Sequence, residues 1–278
     1  MKKNKRRNNK RMLVVAGAVA LLLGMGLDQR LEVVNYTIAD SRIQKPIRIA
    51  LVADLHSCNY GEKQHTLTEA VDQSRPDVLL LAGDIIDDDL PEDKAWEFLS
   101  WAGEKYPSYY VSGNHECWTE ELPRLKSTVL DYNIAVFEGD KVELDIRGQR
   151  VNLFGIDDVD IGESAWQNQL EKAKSKIEPD IYSLLLTHRP ERYEQYRDFD
   201  LSMAGHAHGG QWRIPGVLNG LLAPNQGLFP KYAGGLYEFE NYKMIVSRGL
   251  ARESTRIPRF YNRPEYVVID LVPSEEHR

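Results

Sequence analysis

The sequence predicts a layered α/β fold. Short apolar runs of strand length alternate with stretches of helical spacing, and the strand cores are so uniformly apolar that both faces of each sheet must be covered. The 278 residues fit one large domain, and 42% hydrophobic with 28% charged residues excludes a disordered or collagen-like chain. Two cysteines are too few for a disulfide-built scaffold or a cysteine-ligated zinc module.

Taken in order, residues 1–11 form a basic tail holding Lys2, Lys3, Lys5, Arg6, Arg7, Lys10 and Arg11 and no acid. The uncharged run Met12–Leu27 comes next. As a helix it would reach roughly 24 Å, short of a ~30 Å hydrocarbon core by an amount that snorkelling cations and local thinning can absorb. It reads as a transmembrane signal anchor with the tail in the cytoplasm and the rest outside. A cleaved signal peptide is the competing reading, although the run has no A-x-A site at its end. Residues 28–46 are expected to be an exposed connector or an edge strand, and 47–272 the folded domain. Its expected strands are Ile47–Ala53, Val78–Ala82, Tyr109–Val111, Val151–Gly155, Tyr182–Thr187, Leu201–Ala204, Met244–Ser247 and Tyr266–Leu271. Its expected helices are Lys63–Ser74, Glu92–Lys105, Thr119–Asp131 and Glu163–Lys176. The Gly- and Pro-rich residues 208–240 read as long loops beside the site.

Charge narrows the partners. The net charge is −7, and without the seven tail cations the remainder has 28 basic against 42 acidic residues, or −14. Such a body repels nucleic-acid backbones, so no nucleic-acid partner is expected. A phosphate substrate would then need a local positive charge, and a metal is the obvious source.

The polar residues at the end of each apolar run carry the most information. Asp54-Leu55-His56, Gly83-Asp84, Gly113-Asn114-His115-Glu116, His188 and Gly205-His206-Ala207-His208 each stand at a strand end, where open α/β sheets bind ligands. Five of the seven histidines lie in these motifs; His65 and His277 do not. Any one motif is readily a turn, a cap or a solvated loop. Their conjunction is not, and it suits two divalent cations held close together, with Asp84 as a carboxylate able to bridge them. Imidazole and carboxylate donors suit Mn, Fe, Zn, Co or Ni, and Mn is the expected ion. Each histidine must be neutral to ligate, so activity is expected to fall in acid. Asp87-Asp88-Asp89 reads as a solvated acidic loop, Cys58 and Cys117 as unbridged thiols with a disulfide as the alternative, and Trp118 and Trp212 as candidates to line a substrate groove.

These motifs resemble the five blocks of the calcineurin-like metallophosphoesterase superfamily, and the string from Gly205 to Gln211 resembles its bacterial membrane-associated branch of YkuE- and YaeI-type phosphodiesterases. The resemblance implies two packed mixed β-sheets flanked by helices, a four-layer sandwich. It implies Asp54, His56 and His208 on a first metal, Asn114, His188 and His206 on a second, Asp84 between them, and His115 as the catalytic residue near the leaving-group oxygen. Glu116, where many members have Asp, is expected to orient His115. The implied reaction is hydrolysis of a phosphodiester or phosphomonoester by a hydroxide shared between the metals. The substrate is expected at the membrane or in the envelope, lipid- or cell-wall-linked, with the enzyme single-pass and extracytoplasmic. The rival readings are a non-catalytic metal-binding envelope scaffold or sensor, and a cytoplasm-facing nucleotide or protein phosphatase.

Overall fold

The computed structural model describes residues 12–17, 21–252 and 257–274. The basic tail 1–11 lies outside the described residues, as do residues 18–20 within the apolar run. Residues 12–17 and 21–26 are helical, and no helix among the described residues is long and apolar enough to cross a membrane. The end of this segment is tied to the body: Tyr261 donates its hydroxyl to the Leu22 carbonyl at 2.8 Å and its amide to the Gly26 carbonyl at 2.6 Å.

The strands are β1 (Glu32–Asp40), β2 (Ile47–Val52), β3 (Val78–Ala82), β4 (Ser108–Val111), β5 (Ala135–Val136), β6 (Asp140–Ile146), β7 (Gln149–Gly155), β8 (Ser183–Leu186), β9 (Leu201–Ala204), β10 (Leu222–Ala223), β11 (Gly227–Leu228), β12 (Gly235–Glu238), β13 (Lys243–Val246) and β14 (Glu265–Pro273). The helices are α1 (His65–Ser74), α2 (Asp93–Lys105), α3 (Asn114–Trp118), α4 (Leu122–Asp131) and α5 (Glu163–Lys174). One sheet runs β1-β14-β2-β3-β4-β5 and the other β12-β13-β9-β8-β7-β6, with β10 and β11 a separate ribbon. Both sheets are mixed. In the first, only β14 against β2 is antiparallel; in the second, β12–β13 and β6–β7 are.

Strand alternation divides the core into three layers of contact. Ile49 and Leu51 of β2 join Leu80, Leu153, Leu184, Met203 and Ile245 between the sheets. Ala50 and Val52, one residue out of phase, face Leu67 and Val71 of α1, Phe98 of α2 and Leu125 and Val129 of α4. On the far side, Phe154, Leu185 and Met244 pack on Trp166, Leu170 and Ala173 of α5. The result is helix, sheet, sheet, helix, as the resemblance implied.

The elements differ from the expectation where local chemistry intervenes. Of the two readings of residues 28–46 the edge strand is the one found: β1 has nine residues, pairs in parallel with β14 and carries Ile38 into the inter-sheet core. The helix expected from Lys63 begins at His65, because Lys63 and Gln64 have φ of 50° and 58° and break α-helical propagation. The helix expected from Thr119 begins at Leu122, with Pro123 in its first turn, where a missing N–H costs nothing. Strand β6 was not expected: its sequence DKVELDI is mostly charged, and Glu143 pairs with Arg150 across the β6–β7 hairpin.

Ile38 is fully buried. Ile38→Ala should lower stability by about 2–5 kcal/mol in denaturant unfolding, whereas a free connector would give no change.

Candidate metal centre

The seven expected ligands arrive from both sheets at the carboxyl ends of their strands. Asp54 and His56 follow β2, Asp84 follows β3 and Asn114 opens α3 after β4; His188 follows β8, and His206 and His208 follow β9. All seven are buried. They fall into two groups that share one residue. Ligand atoms of Asp54, His56, Asp84 and His208 lie within 4.8 Å of one another, and so do those of Asp84, His188 and His206. Asn114 completes the second group, its Oδ1 3.2 Å from His188 Nε2. The partition matches the expected one, with Asp84 in common.

Proton placement decides whether these groups suit cations. His188 Nδ1 lies 2.7 Å from the Ala82 carbonyl, which can only accept, so one ring proton sits there and Nε2 is the atom turned on the cage. Nε2 faces Asp84 Oδ2 at 3.1 Å, Asn114 Oδ1 at 3.2 Å and His206 Nδ1 at 3.2 Å. His206 directs Nε2 at the Asn225 side-chain oxygen, 2.8 Å away, so its Nδ1 presents a lone pair. His56 directs Nδ1 at Asp87 Oδ2, 2.8 Å away, and keeps Nε2 bare. Asp54 Oδ2, His56 Nε2, Asp84 Oδ2 and His208 Nδ1 are buried without any hydrogen-bond partner. Buried oxygen and nitrogen atoms facing one another without a donor are unfavourable, and a divalent cation among them reverses the sign.

Electrostatics agrees. Burial opposes charge on His188, but the Asp84 carboxylate, then Asp54, outweighs it and raises the pKa to about 10. Asp84 therefore draws positive charge toward His188 Nε2, which a divalent ion can supply in place of the ring proton. His206 and His208 are held well below the usual histidine range, by burial and by neighbouring cationic rings, and so are neutral and ready to ligate. The donors are imidazole nitrogens, carboxylates and one amide oxygen. The thiols stand apart from the donor set: neither cysteine is in a disulfide, and burial pushes the Cys117 thiol up. This donor set fits two divalent ions of the Mn, Fe, Zn, Co or Ni kind.

Backbone conformation shows what holds the cage. Asp54, His56, Asp84, His206 and His208 have φ of 50°, 47°, 50°, 66° and 46°, the left-handed region that costs non-glycine residues on the order of 1–3 kcal/mol each. Each carboxylate has one oxygen tied across strands: Asp54 Oδ1 accepts from the His206 amide and Asp84 Oδ1 from the His115 amide, both at 2.8 Å. Their second oxygens are left for the ions. A Cβ on Gly113 would come within 2.2 Å of Asp84 Oδ1, and one on Gly249 within 2.4 Å of Asp54 Oδ2, so only glycine admits the two carboxylates there.

Two expectations are corrected. Glu116 does not orient His115. Its buried carboxylate accepts from the amides of Asp84, Ile85, Ile86 and Gly113 at 2.7–3.0 Å and so fixes the loop that carries Asp84. The acidic run 87–89 is not merely a solvated loop. Asp87 is buried against His56, and Asp88 Oδ1 lies 2.5 Å from His115 Nδ1. His115 sits at the mouth with its side chain 24% exposed, edge-on to His56 at 4.3 Å and beside the exposed Trp118 ring at 4.6 Å. Besides Asp87 and Asp88, sequence reasoning missed Asn225 and Gly249. Three adjacent acids after a Gly-Asp turn were a usable signal, since they call for nearby cations; nothing marked Asn225 within its loop.

Residues 47–210 match the family model described as calcineurin-like phosphoesterase. The chain belongs to that family and is a metal-dependent phosphoester hydrolase. It is 27% identical to the metallophosphoesterase YkuE of Bacillus subtilis over 93% of each chain, and 28% identical to the phosphodiesterase YaeI of Escherichia coli over 82% of this chain and 83% of that one. A Bos taurus transmembrane protein with a metallophosphoesterase domain is 28% identical over 74% of this chain and 48% of its own. Among solved structures, the phosphopantetheinyl hydrolase PptH of Mycobacterium tuberculosis superposes with a TM-score of 0.49 at 12% identity, covering 83% of this chain and 97% of that one.

Asp84→Asn should cut bound Mn²⁺ from about two ions per chain to one or fewer, read by elemental analysis after gel filtration. Glu116→Gln has a single acceptor oxygen for four amides, and should lower the melting temperature and weaken metal binding together. Unchanged metal content in both variants would contradict the cage.

Proposed function

We propose that this calcineurin-like phosphoesterase hydrolyses phosphodiester or phosphomonoester bonds at a membrane or envelope surface, with its domain tethered outside the membrane by the N-terminal apolar segment. The observation that carries the chemistry is the convergence of seven buried, lone-pair-bearing side chains from two sheets on a pair of groups sharing Asp84. Asp54, His56, Asp84 and His208 would hold one divalent ion, and Asp84, Asn114, His188 and His206 the other. When bound, the ions supply Lewis acidity over the phosphoryl oxygens and make water acidic enough to ionise near neutral pH.

The chain's own residues do the rest. His56 and His206 are held in the ligating tautomer by Asp87 and Asn225, and His188 by the Ala82 carbonyl. His115 stands outside both groups and reaches solvent, which suits transfer of a proton to a leaving-group oxygen. Its Nδ1 faces the Asp88 carboxylate, so Nε2 is the atom that exchanges protons. Trp118, beside His115 and half exposed, offers a flat apolar wall for a leaving group.

Support for the tether is threefold. Residues 12–27 carry no charge, seven cations precede them, and the described part exposes Leu13, Val14, Leu21 and Leu22 to solvent at 55–72% of their full area. Basic residues before the segment would keep the tail in the cytoplasm and send the domain outward. The Bos taurus relative, named as a transmembrane protein, points the same way.

His115→Ala should keep its metals and lose roughly 10²–10⁴-fold in Mn²⁺-dependent hydrolysis of a chromogenic aryl phosphodiester. Wild-type turnover in that variant would remove His115 from the reaction, and no turnover in the metal-loaded parent would remove the esterase reading. Protease accessibility in intact cells against inverted vesicles checks the orientation: the domain should be cut only in the former.

A further inference from the structure

Residues 211–230 form a loop whose large apolar side chains face outward. Trp212, Ile214, Val217, Leu228 and Phe229 are 44%, 53%, 83%, 67% and 67% exposed, and Leu222 is exposed as well. Single exposed apolar residues are ordinary; five or six within one loop are not, and they mark a contact surface. The loop is built rather than loose. The Leu221 amide donates to the Gly210 carbonyl at 2.9 Å, the Phe229 amide to the Leu221 carbonyl at 2.8 Å, and Gln226 is bonded in both directions to Tyr232. The apolar tips are therefore held outward by a bonded frame.

Charge indicates what they meet. From Leu201 to Tyr237 the chain has no Asp or Glu, although the sequence holds 42 acids in 278 residues. In the neighbouring stretch Lys243 is paired with Glu238, Arg248 with Glu32 and Glu265, and Arg263 with Asp28, while Arg259 is buried, so the contrast lies in the acids missing from 201–237 and not in free cations. An anionic bilayer surface repels the acidic remainder of the domain and leaves the acid-free stretch from Leu201 to Tyr237 as the part that can approach it.

Position is the third argument. The loop is continuous with the apolar N-terminal segment. Trp212 packs on Phe260 at 5.8 Å, the Phe260 ring lies where a Cβ on Gly26 would be, and Tyr261 bonds to Leu22 and Gly26. In the other direction it reaches the metal centre, because Asn225 accepts from His206 and Gly210 lies two residues beyond His208.

From these observations we infer that the 211–230 loop is a bilayer-seating element: its apolar tips insert at the acyl-chain boundary beside the N-terminal segment and set the metal centre on headgroup phosphates. The corresponding substrate class is a phosphate ester still embedded in the lipid surface. This deepens the proposed function and rests on it for the chemistry, not for the contact.

The test uses the full chain with an environment-sensitive dye on Val217→Cys, and separately on Asp131→Cys, exposed at the end of α4 that leads into the amino end of β5. The wild-type chain carried through the same labelling subtracts any signal from its own cysteines. After reconstitution into vesicles of phosphatidylglycerol and phosphatidylethanolamine, emission from position 217 should shift to the blue and rise severalfold, and emission from position 131 should not. No shift at 217 overturns the inference. A shift without lipid that grows with protein concentration also overturns it, and assigns the face to a second copy of the chain. Hydrolysis of the soluble aryl phosphodiester by each labelled protein reports that the fold is intact. It also separates the two ideas: failure of the parent to hydrolyse it sinks the esterase reading and leaves the dye result standing.

Discussion

The Asp84 carboxylate is the contact on which the centre depends. One oxygen is tied to the His115 amide, and the other lies 3.1 Å from His188 Nε2 and 3.5 Å from His56 Nε2. Those two rings come from different sheets. A buried carboxylate in that position draws positive charge from both sides, and its own pKa is carried well below the usual range by His188 and His56, against the upward push of burial. Two sheets packed face to face present their strand ends along one edge. Asp84 is where that edge becomes a single electrostatic site rather than two adjacent loops.

Keeping the ligating atoms turned inward requires that the outer ring protons be committed elsewhere. Ala82, Asp87 and Asn225 each take the outer N–H of a ring, and the amides of His206 and His115 occupy one oxygen of Asp54 and Asp84. Glu116 does the same for the backbone, taking four amides that would otherwise turn toward the carboxylates. Five ligands in left-handed conformations are tolerated only because three hydrophobic layers fix the strands before them. The strain and the bare polar atoms are local costs, and both are relieved or put to use when cations bind.

The strand-end motifs were legible in the sequence because each strand is a short, wholly apolar run and each ligand comes directly after it. Ile47–Val52 before Asp54 and Leu201–Ala204 before His206 are clear cases. The residues that support the ligands were harder to read. Asp88 meets His115 across 27 residues that include α2 and β4, and Asn225 meets His206 across 19; Asp88 and Asn225 each sit in a loop with no periodicity to place them. Glu116 was misread because its neighbour in sequence, His115, is not its neighbour in space; the short helix α3 turns the two side chains apart, Glu116 inward to the β3 loop and His115 outward to Asp88. Strand β6 was hidden by its edge position, where one face is solvated and charged residues replace apolar ones.

One loop joins features that stand far apart along the chain. Residues 208–240 read as Gly- and Pro-rich loop, and the apolar run 12–27 as an independent segment about 200 residues away. In the fold, Tyr261 and Phe260 hold the end of that segment beside Trp212, and Asn225, from the same loop as Trp212, holds His206. A displacement of the loop's apolar face is thus felt at His206, a candidate metal ligand, through one side-chain hydrogen bond. The second cation group is built partly from the element that faces outward, while Asp54 and His56 of the first hang from the central strand β2. Contact at the loop should therefore bear on the His206 side of the centre before it bears on the Asp54 side.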